Sequence, residues 1–405
     1  MNAVLTAVRH EIDGMNWKRK AAWVVVIFLL LQGLFLTGKR FIFGLGAVTN
    51  LTDEFPWGMW ISFDVVGGVA LAAGGFTLCF LVYVIGYHKF HDIVRPTVLT
   101  AFLGYVLVAV GLLYDLGKYY NVWHPMIMWN PHSVMFEVAW CVMLYLTVLF
   151  LEFVPVVLEK FKLVKPLKTL QKFTIPLVIA GVLLSTLHQS SLGSVFLIVP
   201  EKLHPLWYTP ILPLLFFLSA VVVGPAMVIV ESELSARVFR RGLELNILSE
   251  LAKYLQVALF VYVGLKIQDF FVRKVVDQVF TMHYESLFML LELGLLVGAM
   301  VILAFPKMRT NSRGLFWAGS LVVIGILLNR FNVSWIGMQR GSGATYMPAL
   351  SEIGVSLFLV TAGALVFYFV CRFFPIFPAI SEEDTERIES LKSRKEKRLS
   401  AQVVK

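Results

Sequence analysis

Charge is scarce in this chain. Asp, Glu, Lys and Arg make up only 15% of its 405 residues, whereas soluble domains carry about 25%. That shortage excludes an ordinary water-soluble core, and a hydrophobic content of 58% with a mean hydropathy of +0.78 points the same way. Cysteine is equally thin. Cys79, Cys141 and Cys371 all fall inside apolar runs. They are too scattered for a zinc motif, an iron–sulfur ligand set or a CxxCH haem attachment, and they read as packing residues with no metal site. A haem b held between helices takes two histidines. Of eight histidines only His132 and His188 are placed for that, and His132 lies at a rim. The expectation is therefore a chain without haem or iron–sulfur cluster.

What the chain has in abundance is long apolar runs. About 20 residues cross ~30 Å of hydrocarbon, and such runs occur ten times. They cover approximately 21–38, 58–86, 94–117, 132–157, 173–192, 208–231, 247–271, 284–305, 314–331 and 350–374. The fold expected is an all-α polytopic membrane protein of ten spans. The first run ends in Thr37-Gly38-Lys39 without a small-residue cleavage pattern, so it reads as an anchor and not a signal peptide. Residues 1–17 are a weak candidate for an interfacial helix, and 381–405 read as a solvated charged tail.

Lys and Arg set the orientation. One side, with the termini and the segments around Lys89, Lys160–Lys172, Arg237–Arg241 and Lys307–Arg313, holds 25 of the 35. The other side holds seven: Lys39, Arg40, Lys118, Lys202, Arg273, Lys274 and Arg340. The positive-inside rule then puts both termini in the cytoplasm. The net charge of +9 expresses this topology and gives no support to nucleic-acid binding.

Against this background, ionisable residues inside the spans stand out, because charge in hydrocarbon costs roughly 2.5–3.5 kcal/mol per group. Asp64 in span two, Asp115, Lys118 and Tyr119 at the end of span three, His132 and Glu137 opening span four, and His188 and Gln189 closing span five all fall toward the outer side. The i, i+3, i+4 spacing of Asp115, Lys118 and Tyr119 predicts one helical face. Ordinary readings exist for each. Lys118 and Asp115 make a simple ion pair, His132 after Pro131 is a cap-region residue, and Asp64 accepts bonds from a neighbouring helix. His188 is harder to dismiss, being the one histidine well inside a span, with Ser185, Gln189 and Ser191 around it. A second polar set, including Gln268, Asp269, Asn329, Arg330 and Glu352, reads mainly as structural pairing. Glu152, Glu231 and Glu292 are candidates for a proton path. Together these groups suit a quinone, whose two carbonyls exchange protons as electrons move and whose tail needs an apolar slot.

The stretches FGLGAVTNLTDEFPWGMWISFDVV (43–66), LYDLGKYYNVW (113–123), HSVMFE (132–137), LEFVP (151–155), LHQSSLGS (187–194) and NRFNVSW (329–335) resemble the NrfD/PsrC family of quinone-reactive membrane subunits. The resemblance runs from about residue 40 through span ten, and LHQSSLG is its most specific element. Ten spans resemble the HybB-like branch, which serves nickel–iron hydrogenases and high-molecular-weight cytochrome complexes. The resemblance implies two four-helix bundles, spans two to five and six to nine, with one flanking helix at each end. It implies a menaquinone or ubiquinone site in the outer half of the first bundle. It also implies a periplasmic ferredoxin-like iron–sulfur subunit docked above, and beyond it a periplasmic catalytic subunit such as a hydrogenase, multihaem cytochrome c or molybdoenzyme. Carried over by position, His188, Asp115 and Asp64 become catalytic candidates, with Tyr119 and His132 beside the quinone; Glu137, Gln189 and Lys118, from the same polar cluster, are added as binding candidates.

The expected organisation is a cytoplasmic segment (1–20), the first span and its loop (21–57), a quinone-binding bundle (58–192), a second bundle (193–331), a loop with the tenth helix (332–375) and a cytoplasmic tail (376–405). The expected setting is a bacterial inner membrane, with lipids as further partners. The rival functions are a proton-coupled transporter and a haem-bearing anchor. Transporters place charge near the midplane at broken helices. Here the polar positions sit off-centre, and the spans show few Gly/Pro interruptions at matching places in the two halves.

Overall fold

The computed structural model describes residues 17–343 and 345–377. The expected interfacial segment at 1–16 and the charged tail from 378 onward lie outside the described residues. Among those described, all regular structure is helical. Ten helices are long and apolar enough to cross a membrane. They are α1 (Trp17–Phe43), α2 (Trp60–Val84), α3 (His88–Asp115), α4 (Val134–Lys160), α5 (Thr174–Ile198), α6 (Leu212–Phe239), α7 (Leu245–Val272), α8 (Tyr284–Ala304), α9 (Ser312–Gln339) and α10 (Leu350–Phe373). Ten crossings return the chain to the side on which α1 begins. That side is called the near face below, and the opposite side the far face.

Helices α2 to α5 pack in a ring, each against the next and α5 back against α2, and α6 to α9 repeat the pattern. The rings meet where α2 touches α6 and α9 and where α5 touches α6. Although α1 and α10 flank the sequence at opposite ends, in space they pair with each other, and α10 also lies on α3 and α2. Helix α1 outruns its expected end at residue 38 because Arg40 turns inward. Its Nε and Nη2 donate to the carbonyls of Tyr114 and Leu116, each at 2.7 Å. An arginine that reads as a loop charge is thus only 1% exposed.

Helix α2 is the central element: 78% of its apolar window is buried, against 6% for α1. It is also irregular, which the sequence did not lead us to expect. Wide π turns at Trp60–Gly67 and Phe80–Val84 bracket the short helices Gly68–Leu71 and Gly74–Cys79, with a turn at Ala72–Ala73. Gly67, Gly68, Gly74 and Gly75 weaken the helix locally. In return they let neighbours come close. A Cβ on Gly74 would stand 3.3 Å from the Gly224 carbonyl of α6, and one on Gly224 would stand 3.1 Å from the Ala73 carbonyl. A wide turn also interrupts α9, at Asn332–Ile336. The two interrupted helices are the first of one ring and the last of the other, so the breaks are not at corresponding places.

Overpacking a close helix crossing costs about 1–3 kcal/mol. Gly224→Leu should therefore lower the melting temperature of the purified protein by several degrees. Gly264→Ala, where nothing lies within 4 Å of the added Cβ, should leave it unchanged or slightly raised.

Candidate functional site

A cavity of about 500 Å³ lies between α2, α3, α6 and α10. Its walls are mostly apolar, with Phe63, Leu71, Leu103, Leu107, Leu359 and Phe367 among them. Polar groups mark its two ends. Asp64 stands toward the far face, and Glu231, Ser235 and Thr100 stand toward the near face. The wide turn of α2 carries Asp64, which is 8% exposed. Ser356 of α10 donates its hydroxyl to Asp64 Oδ2 at 2.5 Å. On the α3 side, a Cβ at Gly111 would stand only 2.9 Å from that of Asp64. Glycine there lets the acid lie flat against α3.

Beyond Asp64 toward the far face, Asp115 ends α3. Arg40, Glu352 and Asp64 are all close enough to act on its charge, and its Oδ1 is buried without a hydrogen-bond partner. Glu352 fastens the start of α10. It accepts from the amides of Asn50 at 2.9 Å and Ala349 at 3.0 Å and from the Tyr346 hydroxyl, while its carbonyl takes the Trp60 indole at 3.1 Å. Burial, and then the Glu352 carboxylate, push the pKa of Tyr346 above the usual phenol value, so this ring stays protonated.

The predicted single face of Asp115, Lys118 and Tyr119 is not found. The helix stops at Asp115, Leu116 is extended, and Lys118 is exposed on the connection beyond it. The carbonyls freed at this end are taken by Arg40, which is why the chain can turn there. Tyr119 instead packs edge-on against Phe41, with ring centroids 4.8 Å apart. His132 is exposed at the rim.

His188 is fully buried but belongs to a different group, on another side of α3. Its ring lies 5.8 Å from that of Tyr105, which meets Tyr145 edge-on at 4.6 Å. Both imidazole nitrogens lack hydrogen-bond partners, while the Ser185 hydroxyl stands within reach of both phenols. Gln189 donates to the Val69 carbonyl of α2 at 3.0 Å, and Ser191 to Glu137 Oε1 at 2.9 Å. These two bonds tie α5 to α2 and α4. Below, Glu152 and Tyr145 face the same point on α5, where a Cβ on Gly181 would stand 3.4 and 3.6 Å from them. Glu152 borders a near-face cavity of about 210 Å³ beside the Arg95–Glu159 pair.

In the second ring, Glu292 pairs with Lys266 and accepts from Asn329 at 3.0 Å and Asn332 at 2.8 Å. Arg330 donates to Asn329 Oδ1 at 2.9 Å and the Ser219 hydroxyl at 2.7 Å, and lies 3.8 Å over the Phe216 ring. This network joins α6, α7, α8 and α9. The three acids expected along one proton path therefore occupy three separate places: Glu152 in the first ring, Glu231 in the slot, Glu292 in the second ring. Arg40, Ser356, Tyr105 and Tyr145 were not singled out from the sequence. A Lys-Arg pair closing the first apolar run was the available signal for Arg40; nothing in the spacing marked the others.

Residues 47–340 match the family model described as polysulphide reductase, NrfD. The chain belongs to the NrfD family. It is an integral, multi-pass membrane protein. It is 40% identical over 367 residues to a protein of Nitratidesulfovibrio vulgaris, covering 87% of this chain and 93% of that one. It is 32% identical to the probable Ni/Fe-hydrogenase 2 b-type cytochrome subunit of Escherichia coli, covering 91% and 96% of the two chains. With the integral membrane subunit of menaquinone reductase from N. vulgaris it shares 31% identity over 89% and 92%. The matched NrfD range contains Asp64, Asp115 and His188, whereas Arg40, Glu352 and Ser356 lie outside it.

Leaving a buried acceptor without its hydrogen bond costs about 1–3 kcal/mol, and two carbonyls depend on Arg40. Arg40→Met should therefore depress thermal stability strongly, and Asp115→Asn in the same chain should recover part of the loss. Thermal unfolding of the two single variants and the double variant measures the coupling directly.

Proposed function

We propose that this chain is the quinone-reactive membrane subunit of a respiratory oxidoreductase complex, and that the slot ending at Asp64 is where the quinone binds. The observation that carries this is the slot itself. It is an apolar cavity of about 500 Å³ with a carboxyl group at its far end. Sites for small molecules are largely apolar with a few placed polar groups, and a prenylated ring needs just that. Menaquinone is the quinone named by a relative; ubiquinone has the same needs. A quinone supplies the uptake of two electrons and two protons on becoming a quinol.

The residues divide the work. Asp64 holds the exchangeable proton beside the ring, and the 2.5 Å bond from Ser356 orients its carboxyl. Asp115 lies one step nearer the far face, with Arg40 balancing its charge. His188, expected to bond a ring carbonyl, does not line the slot, so we assign that contact to Asp64. Gln189, Glu137, Tyr119, His132 and Lys118 are likewise outside it and are left as framework or rim residues.

The lysine and arginine bias makes the near face cytoplasmic and the far face periplasmic, in a bacterial inner membrane. Electrons then pass between the slot and an iron–sulfur subunit seated on the far face, with a hydrogenase, cytochrome c or molybdoenzyme beyond. A haem-bearing anchor is the second possibility, since one relative is named a b-type cytochrome subunit. Among the described residues His188 is the only histidine buried within a spanning helix, and two would be needed, so the quinone assignment is preferred.

Loss of a general acid or base costs typically 10²–10⁴-fold. Asp64→Asn in the assembled complex should slow quinone turnover at least about tenfold while quinone still co-purifies. Ala364→Trp, at the slot wall on α10, should remove both. Unchanged turnover in each variant would place the quinone elsewhere.

A further inference from the structure

The near-face connection between α4 and α5 carries five lysines within 13 residues, at 160, 162, 165, 168 and 172, and no acid. A bias toward positive charge accounts for cations on this face. It does not account for their isolation from acids, which the rest of the face avoids. Lys89 pairs there with Glu250, Arg237 with Glu233 and Arg241 with Glu244. Here the adjoining acid is already taken, since both oxygens of Glu159 accept from the Arg95 guanidinium at 2.9 Å. All five lysines are exposed.

The local fold sorts these charges. Lys162 has a left-handed backbone, φ 57°, which ends α4 and turns the chain. A short helix follows over Val164–Gln171. Lys165, Lys168 and Lys172 recur at i, i+3 and i+7, so they share one side of it, spread over about 10 Å at 1.5 Å rise per residue. Leu167 and Leu170 are half-buried on the opposite side. Leu170 and Gln171 also border the near-face cavity of about 210 Å³, together with His91, Arg95 and Thr174. Around the lysines the surface is apolar: Phe161, Leu163, Val164 and Phe173 are 64%, 49%, 56% and 55% exposed. A soluble anion would neutralise the lysines and leave these four side chains in water. An amphiphile covers both, as at interfacial helices with lysine beside apolar residues.

We propose that this connection binds an anionic phospholipid with two phosphates, of the diphosphatidylglycerol kind. Its phosphates lie on the lysine side of the short helix and its acyl chains against Phe161, Leu163 and Phe173. Three cations spread over about 10 Å exceed what one phosphate neutralises, and Lys160 and Lys162 add two more. Bound there, the lipid fastens the end of α4 to the start of α5. The site stands whether or not the slot holds the quinone.

The test uses the assembled complex in a neutral detergent, stripped of lipid and titrated with cardiolipin, phosphatidylglycerol or phosphatidylcholine. Native mass spectrometry counts the bound lipid, and thermal unfolding follows in parallel. Cardiolipin should bind most tightly and raise the melting temperature, and phosphatidylcholine should do neither. Lys165→Gln, Lys168→Gln and Lys172→Gln together should weaken cardiolipin binding at least about tenfold. The three corresponding Lys→Arg changes should preserve it. Added salt should weaken it in the wild-type protein. Lys307→Gln with Arg313→Gln, exposed on another near-face connection, should leave it unchanged. The site is overturned if phosphatidylcholine or phosphatidylglycerol binds as tightly as cardiolipin. It is equally overturned if the triple Gln variant keeps its cardiolipin, or if the Lys307 and Arg313 changes remove as much. An acidic peptide that displaces cardiolipin would overturn it too, and would mark the lysines as a protein-docking surface.

Discussion

A charge buried at membrane depth must be answered by another charge or by hydrogen bonds, and that requirement organises this molecule. Arg40 is the strongest case. Its guanidinium closes the open carbonyl end of α3 and sits beside Asp115. It therefore does two jobs that would otherwise leave unsatisfied groups in hydrocarbon. Through it α1 is tied to α3, and through Glu352 and its bonds to Asn50, Trp60 and Tyr346 α10 is tied to the connection before α2. The outer end of the slot is built from these ties.

The second constraint is the shape of α2. A straight helix cannot touch both rings and present Asp64 to a cavity at the same time. Wide turns redirect its side chains, and glycines on α2, α3 and α6 let the backbones approach within contact distance. The loss of helix propensity is offset by burial, since this is the most enclosed helix of the ten. Irregular backbone at membrane depth is tolerated only where protein covers it; the Trp60–Gly67 turn is covered in this way, whereas the Phe80–Val84 turn closes the helix with Phe80 and Val84 exposed.

Two kinds of buried polar group then separate. The Lys266–Glu292–Asn329–Asn332–Arg330 network is joined by side-chain bonds, with Arg330 Nε and Asn332 Oδ1 left over, and such a network pins helices together. His188 keeps both ring nitrogens free, while Ser185 lies within reach of Tyr105 and Tyr145, and Thr100 of Glu231. The NrfD match ends at residue 340, yet α10 supplies Ser356 and one wall of the slot.

By itself the amino-acid sequence determined the ten crossings and the family. Each depends on composition over about twenty residues or on short local motifs, and local averages survive without coordinates. Asp64, Asp115 and Glu231 were visible for the same reason, as acids in apolar runs. Only tertiary structure decided which of them share a space. The helix end at Asp115 broke the expected face with Lys118 and Tyr119, because a carbonyl-capping arginine arrived from 75 residues away. Whether His188 and Asp64 meet depends on helix rotation about α3, and hydropathy carries no record of rotation. The slot itself is the space left between four helices far apart in the chain, so no single segment encodes it.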